Sequence, residues 1–268
     1  MTASLVHQDR IAVIAHRGAS AHAPENTLAA VDLAVDLQAD LVEVDVQLTK
    51  DGHPVVIHDT TLRRTTDVKS RFPDRGSCSV ADLTLAEIRT LDAGSWFDAR
   101  YAGAQLPTLQ EVLDTLRGRA GLLLEVKAPN LYPGIAEAVA TVLDGEGWLR
   151  TGANAPRLVV QSFDWDFMRR FTSLAPGVCA GLLGGPPARH RFTEPPTWAS
   201  QRNRSHRRMT GRFVEMVHRH GMVTWPYTVD DPQRMRALID LGVDGIITNR
   251  PDVLVDLLAQ PDRCALTA

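Results

Sequence analysis

Two pairs of charged residues and two histidines stand at the ends of short apolar runs in this 268-residue chain. In residues 41–46 (LVEVDV) a side-chain period of two puts Glu43 and Asp45 on one face and three valines on the other. Like charges that close need a cation or a shared proton, and Mg²⁺ or Ca²⁺ prefers such oxygen ligands; an isolated Glu-x-Asp is equally readable as a strand end facing solvent. Residues 122–127 (LLLEVK) repeat the pattern with Glu125 and Lys127. An unpaired charge there is costly, so these two read either as an internal ion pair or as a metal ligand beside a phosphate clamp. His16 and Arg17 close the run IAVIAHRG, and His58 follows the turn at Asp51-Gly52, whose hairpin chemistry folds it back beside Glu43 and Asp45. A lone histidine is usually packed or solvated. Two of them beside a cation and two fixed positive groups suit phosphodiester cleavage. One imidazole takes a proton from the nucleophile, the other donates one to the departing alkoxide, and Arg17 with Lys127 steadies charge on the phosphoryl oxygens.

The elements that must position these groups are legible as alternating strand and helix patterns. Apolar runs at 11–15, 41–48, 121–127, 157–163, 178–183, 222–229 and 245–249, with a weaker one near Trp198 to Gln201, make eight βα units. That predicts a TIM (β/α)8 barrel in a single domain over residues 1–268, with an open doubly wound sheet as the alternative. Leu28, Val31 and Val35 recur at helical spacing, with Pro24 and Glu25 suited to the first turn. Asp231-Pro232 reads as a cap and first position, Met235, Leu238 and Ile239 as its stripe, and Gly242 and Gly221 as left-handed exits. Residues 60–106 are too long for a βα connection and carry one helical piece near Leu83 to Leu91, so a small inserted subdomain after strand two is expected. Residues 184–210 are rich in Pro and Arg, which leaves the fifth helix and sixth strand least defined.

Composition excludes several classes. Lys and Arg total 29 against 32 Asp and Glu, a net charge of -3, so nucleic acid and anionic membranes are disfavoured as partners. Cys78, Cys179 and Cys264 have no metal-site spacing and suggest no disulfide framework. The N-terminal residues lack a secretory pattern, which reads as cytoplasmic. Pro and Gly break the uncharged stretch 171–188, so no integral membrane segment is expected. No GxSxG, GxGxxG or GxxxxGK stands in the chain.

In this order, the blocks HRGASAHAPENTLAA (16–30), ADLVEVDVQLTKDGHPVVIHDTTLRRTTD (39–67), LTLAEIRTLDAGSWF (83–97), LPTLQEVL (106–113), LLLEVK (122–127), YTVDDP (227–232) and LGVDGIITNRPD (241–252) resemble the bacterial glycerophosphodiester phosphodiesterases. The resemblance runs from about residue 11 to 258. It implies a TIM barrel with a small subdomain inserted after strand two, a divalent cation (Mg²⁺ or Ca²⁺), and hydrolysis of small glycerophosphodiesters to glycerol 3-phosphate and an alcohol. Residue by residue, His16 and His58 match the catalytic pair, with Arg17 beside them. Glu43, Asp45 and Glu125 match the metal carboxylates, and Arg17 and Lys127 the phosphate contacts. Glu25 and Asn26 of PENT either orient His16 or the metal shell or simply mark a helix start. Tyr227 stands where many members have Trp, an aromatic face for the glycerol; Trp225 reads as core.

The mechanistic expectation is attack by the glycerol 2-hydroxyl to give a cyclic phosphate, with direct attack by water as the competing route. A lysophospholipase D or sphingomyelinase D-like activity would need apolar loops at the mouth, for which Trp96, Phe97 and Tyr101 are the candidates. A non-catalytic phosphate-ligand binder is the alternative of a different class. The basic run from Arg202 to Arg208 reads as a solvated loop or an anionic-surface contact. Neither oligomeric state nor head-group preference is legible.

Overall fold

The computed structural model describes residues 10–76, 78–151, 157–185 and 196–260. The chain begins with β1 (Ala12–His16), α1 (Leu28–Asp36), β2 (Leu41–Leu48) and β3 (Pro54–Val56). Short helices α2 (Val68–Arg71) and α3 (Leu85–Ile88) precede α4 (Leu109–Leu116), and then β4 (Gly121–Val126), α5 (Ile135–Gly145), β5 (Leu158–Ser162), α6 (Trp165–Leu174) and β6 (Cys179–Leu183) alternate. β7 (Gln201–Asn203), α7 (Gly211–Arg219), α8 (Pro232–Asp240), β8 (Gly245–Thr248) and α9 (Pro251–Ala259) complete it. Seven strands pair in parallel in the order β7-β6-β5-β4-β2-β1-β8, and β3 returns antiparallel on β2 through the Asp51-Gly52 turn.

The expected strand over 222–229 forms no regular ladder. Pro226 has no N–H to give. Its neighbours nevertheless bond on both sides, Val223 N to Ser200 O and Asp244 N to Thr224 O, so the segment fills the space between β7 and β8. The weak strand near Trp198 forms slightly later, at Gln201–Asn203.

Alternation sorts each strand into two faces. Val42, Val44 and Val46 join the helices in the larger core, while Ala12, Ile14, Leu41, Leu123, Val159, Cys179, Val223, Trp225 and Ile247 meet in a second, enclosed cluster contributed by seven chain segments. Further along the same inward faces the residues turn polar: Glu43 and Asp45 after Leu41, Glu125 after Leu123, Gln161 after Val159. An apolar plug therefore fills the barrel below, and a polar floor lies above it at the C-terminal ends of the strands, where barrel sites are built.

Three expectations change. Pro24 and Glu25 precede α1 rather than opening it, because Asn26 is left-handed (φ 58°) and Thr27 is the cap, accepting from Ala30 N. The run from Arg202 to Arg208 is solvated only at its end, where Arg207 and Arg208 are exposed: Asn203 is fully buried, Arg202 lies over the Trp165 and Phe213 rings, and Arg204 over Phe213. Residues 57–106 do more than one helical piece, burying Ile57, Leu62, Val68, Val80, Leu83, Ile88, Leu91 and Leu106 in a cluster of their own with Val55 of β3. The caps at Asp231, Gly221 and Gly242 serve as the pattern demands.

Gly18 is needed for two reasons. Its φ is +79°, and a Cβ there would lie 2.5 Å from the carbonyl carbon and oxygen of Ala30. Gly18→Ala is therefore expected to destabilise by at least about 2 kcal/mol, lowering Tm by roughly 5 °C or more, because strain and a backbone clash add. Thermal unfolding checks it; an unchanged Tm would mean that this turn yields cheaply.

Candidate active site

Ladder register brings the charged strand ends together, His16 opposite Glu43 and Asp45 opposite Glu125. One oxygen from each of Glu43, Asp45 and Glu125 lies within 4.8 Å of the others, all three residues buried. Lys127 reaches over from the end of β4, its Nζ 3.0 Å from Asp45 Oδ1 and in contact with the Glu125 carboxylate. Arg17 is left-handed (φ 57°), which lets its backbone N–H donate to Glu43 (2.8 Å) while its side chain meets Asp45 (3.3 Å) and Glu25 (2.9 Å). Asn26 donates to Asp45 Oδ2 (2.9 Å) and accepts from Asp45 N (3.2 Å), so PENT meets the acidic trio at Asp45, while Glu25 meets Arg17.

Three carboxylates and two cations cannot all be content. Burial and the neighbouring Asp45 and Glu125 charges push Glu43 well above the usual carboxylate range, and burial with Asp45 raises Glu125 to about 7. Asp45 is also pushed up by burial, but Lys127 and Arg17 overcome that and hold it at about 2. Glu43 Oε1 is buried with no hydrogen-bond partner. An oxygen-only set with a surplus negative charge and an orphaned oxygen suits a hard divalent cation.

Each histidine is held by its Nδ1. In His16 that atom lies 2.7 Å from Asn249 Oδ1; in His58 it lies 2.7 Å from Asp59 Oδ1. Burial, then the Arg17 charge, lowers His16 to about 4; burial also lowers His58, against the Asp45 charge and the Asp59 bond, which act the other way. Gln47 fixes the backbone beneath His58 by donating to the carbonyls of Ile57, His58 and Asp59. Asp59 pairs with Arg64 (2.8 Å), Arg64 with Glu25 (2.7 Å), and Glu25 with Arg17, which closes a charge chain around the rim.

His16, Arg17, Glu43, His58, Glu125, Lys127 and Tyr227 line one cavity of about 180 Å³, with Gln161, Phe163, Leu183, Thr228 and Ile247 completing its wall. Asp45, Glu25 and Asn26 stand behind that lining. Tyr227 meets Phe163 edge to face (6.1 Å between centroids), and burial raises its phenol to about 12. Trp225 is core, at 2% exposure. Phe97 meets Trp96 and Tyr101 edge to face, none of the three lines the cavity, and the Tyr101 hydroxyl donates to His22 O. Sequence reasoning did not single out Asn249, Asp59, Arg64 or Gln47. Asn249 carried the one usable signal, a polar residue at the C-terminal end of a barrel strand.

The model of the glycerophosphoryl diester phosphodiesterase family matches residues 16–253, a span that holds every one of these groups. The chain belongs to that family. A glycerophosphodiester phosphodiesterase of Caldanaerobacter subterraneus subsp. tengcongensis is 38% identical over 255 residues, covering 92% of this chain and 97% of the relative. One from Bacillus subtilis is 35% identical over 263 residues, covering 93% and 87%. Among solved structures, an Oleispira antarctica phosphodiesterase in complex with the product sn-glycerol-3-phosphate superposes with a TM-score of 0.81 at 29% identity, over 93% of this chain and 97% of that one. These likenesses make the barrel a TIM barrel and this family member a phosphoric diester hydrolase. No helix among the described residues is long and apolar enough to cross a membrane.

Proposed function

We propose that the chain hydrolyses glycerophosphodiesters to glycerol 3-phosphate and an alcohol, using a divalent cation and two histidines as acid and base. The observation that carries this reading is the single cavity lined by both histidines, Lys127, Arg17, Glu43 and Glu125, with Asp45 of the acidic trio directly behind them. Glu43, Asp45 and Glu125 would hold the cation, either Mg²⁺ or Ca²⁺. When bound, it would polarise a phosphoryl oxygen and ease loss of a hydroxyl proton.

Arg17 and Lys127 bind the diester phosphate and offset charge growing on its oxygens. His16, enclosed and neutral, takes the proton of the glycerol 2-hydroxyl as that oxygen attacks phosphorus. His58 gives its proton to the departing alkoxide, and its carboxylate partner Asp59 steadies the charged ring beforehand. Water then opens the cyclic phosphate with the two rings exchanging roles. Tyr227 and Phe163 wall the glycerol. Residues 57–106 act as an inserted unit whose task is to supply His58, Asp59 and Arg64 to the rim. A cytoplasmic location fits the unpaired thiols of Cys78 and Cys179.

Glycerol 3-phosphate release from a panel of soluble diesters, with Mg²⁺ or Ca²⁺ and with chelator, tests the proposal. A diester lacking the 2-hydroxyl should resist cleavage, and cyclic phosphate should be trapped early. Full-rate cleavage of that diester would replace the cyclic route by direct attack of water. No product from any diester would end the hydrolase reading.

A further inference from the structure

We propose that Asp230 and Asn249 form a positioning pair that dictates which ring nitrogen of His16 faces the substrate. The inference rests on the phosphodiesterase reading of the cavity, which neither residue lines.

An asparagine amide has an accepting end and a donating end, and its neighbours decide which way it points. Asn249 Nδ2 lies 2.7 Å from Asp230 Oδ2. A carboxylate only accepts, so a flipped amide would set two oxygens against each other at that distance. Asp230 cannot easily turn away, because its other oxygen accepts from Asn249 N (2.8 Å) and from the Thr248 hydroxyl (3.1 Å). The amide oxygen must therefore face His16. The Ser20 hydroxyl lies 2.8 Å from that same oxygen and 2.7 Å from His16 O, and its one hydrogen serves one of the two.

With an accepting oxygen 2.7 Å away, His16 Nδ1 must carry the hydrogen. A neutral ring has one such hydrogen, so Nε2 keeps its lone pair, on the side of the ring away from Asn249. That is the form able to take a proton from an attacking hydroxyl. Asp230 follows the 222–229 segment and Asn249 follows β8, so the last two units of the barrel fix the tautomer of a residue on the first.

Asn249→Leu is expected to lower kcat for glycerol 3-phosphate release about a hundredfold while KM stays within about twofold, the pattern of a misplaced acid-base group. Ring ¹⁵N shifts of His16, identified by their loss in His16→Ala, should show Nδ1 protonated in the parent and Nε2–H populated in Asn249→Leu. Asp230→Asn, which frees the amide to flip, should move the shifts the same way. Asn249→Asp alone would set a carboxylate oxygen against Asp230, whereas the double variant Asp230→Asn with Asn249→Asp restores a donor facing an acceptor and should retain Nδ1–H and most of kcat. An Nε2–H ring in the parent, an unchanged tautomer in Asn249→Leu, or kcat within about threefold of the parent would overturn the proposal. A parent that releases no glycerol 3-phosphate would sink the hydrolase reading instead, while the ring shifts would still decide whether the pair sets the tautomer.

Discussion

His58→Ala is expected to cut release of an alkyl alcohol at least about a hundredfold, yet to keep release of p-nitrophenol from glycerol p-nitrophenyl phosphate within about tenfold of the parent. His16→Ala should lose at least about a hundredfold on both substrates. The asymmetry follows from what holds each ring. His58 Nδ1 faces the Asp59 carboxylate, which works against the burial that lowers the ring and favours a charged form able to donate, and Arg64 anchors that carboxylate from behind. His16 Nδ1 faces a neutral amide, and burial with the nearby Arg17 charge holds the ring at about 4, uncharged and able to accept. A departing alkoxide needs a proton; nitrophenolate leaves without one. Only loss of the donor should therefore be rescued by the better leaving group. Steady-state rates on the two diesters decide it. Rescue of His16→Ala instead would exchange the two roles, and a loss below tenfold in both variants would remove the two-histidine mechanism altogether.

The site was legible to the extent that its residues are local in sequence. Glu43 with Asp45, and Glu125 with Lys127, are two apart on strands, and period-two alternation suffices to put each pair on one face. His58 followed from a hairpin whose turn residues announce themselves. What stayed hidden depends on contacts across the chain. Asn249 bonds a histidine 233 positions away, and Arg64 reaches Glu25 across 39. The fold shows the same division. Strands with apolar alternation stood out, whereas 222–229 pairs on both sides without forming a ladder, and Arg202 and Arg204 look solvated in sequence although aromatic rings on neighbouring helices cover them. Pro24 and Glu25 misled because a proline suits a first turn equally well when the cap lies three residues later, at Thr27.

Chelator-treated protein is expected to release no detectable glycerol 3-phosphate and to regain activity on adding Mg²⁺ or Ca²⁺, with the cation binding more tightly as pH rises. The direction follows from the acidic trio. Without a cation, Glu43 and Glu125 are raised, the latter to about 7, so below neutrality at least one of them holds a proton that binding must displace. Apparent affinity should then climb by up to about tenfold per pH unit for each proton displaced, and flatten above the raised values. Asp45, held at about 2, contributes nothing to this slope. Calorimetric titration at pH 6 in buffers of different ionisation enthalpy reads the protons released; a pH-independent affinity with none released would mean that the trio does not hold the ion. Saturation at a hundred times Kd stabilises by about 2.7 kcal/mol, a rise in Tm of roughly 5–10 °C. Glu43→Gln removes one buried like charge, so its metal-free form should melt no lower than the parent, while the cation-induced rise and the turnover both disappear. A variant that still gains the full rise in Tm would show that Glu43 is not a ligand and that its orphaned oxygen needs another account.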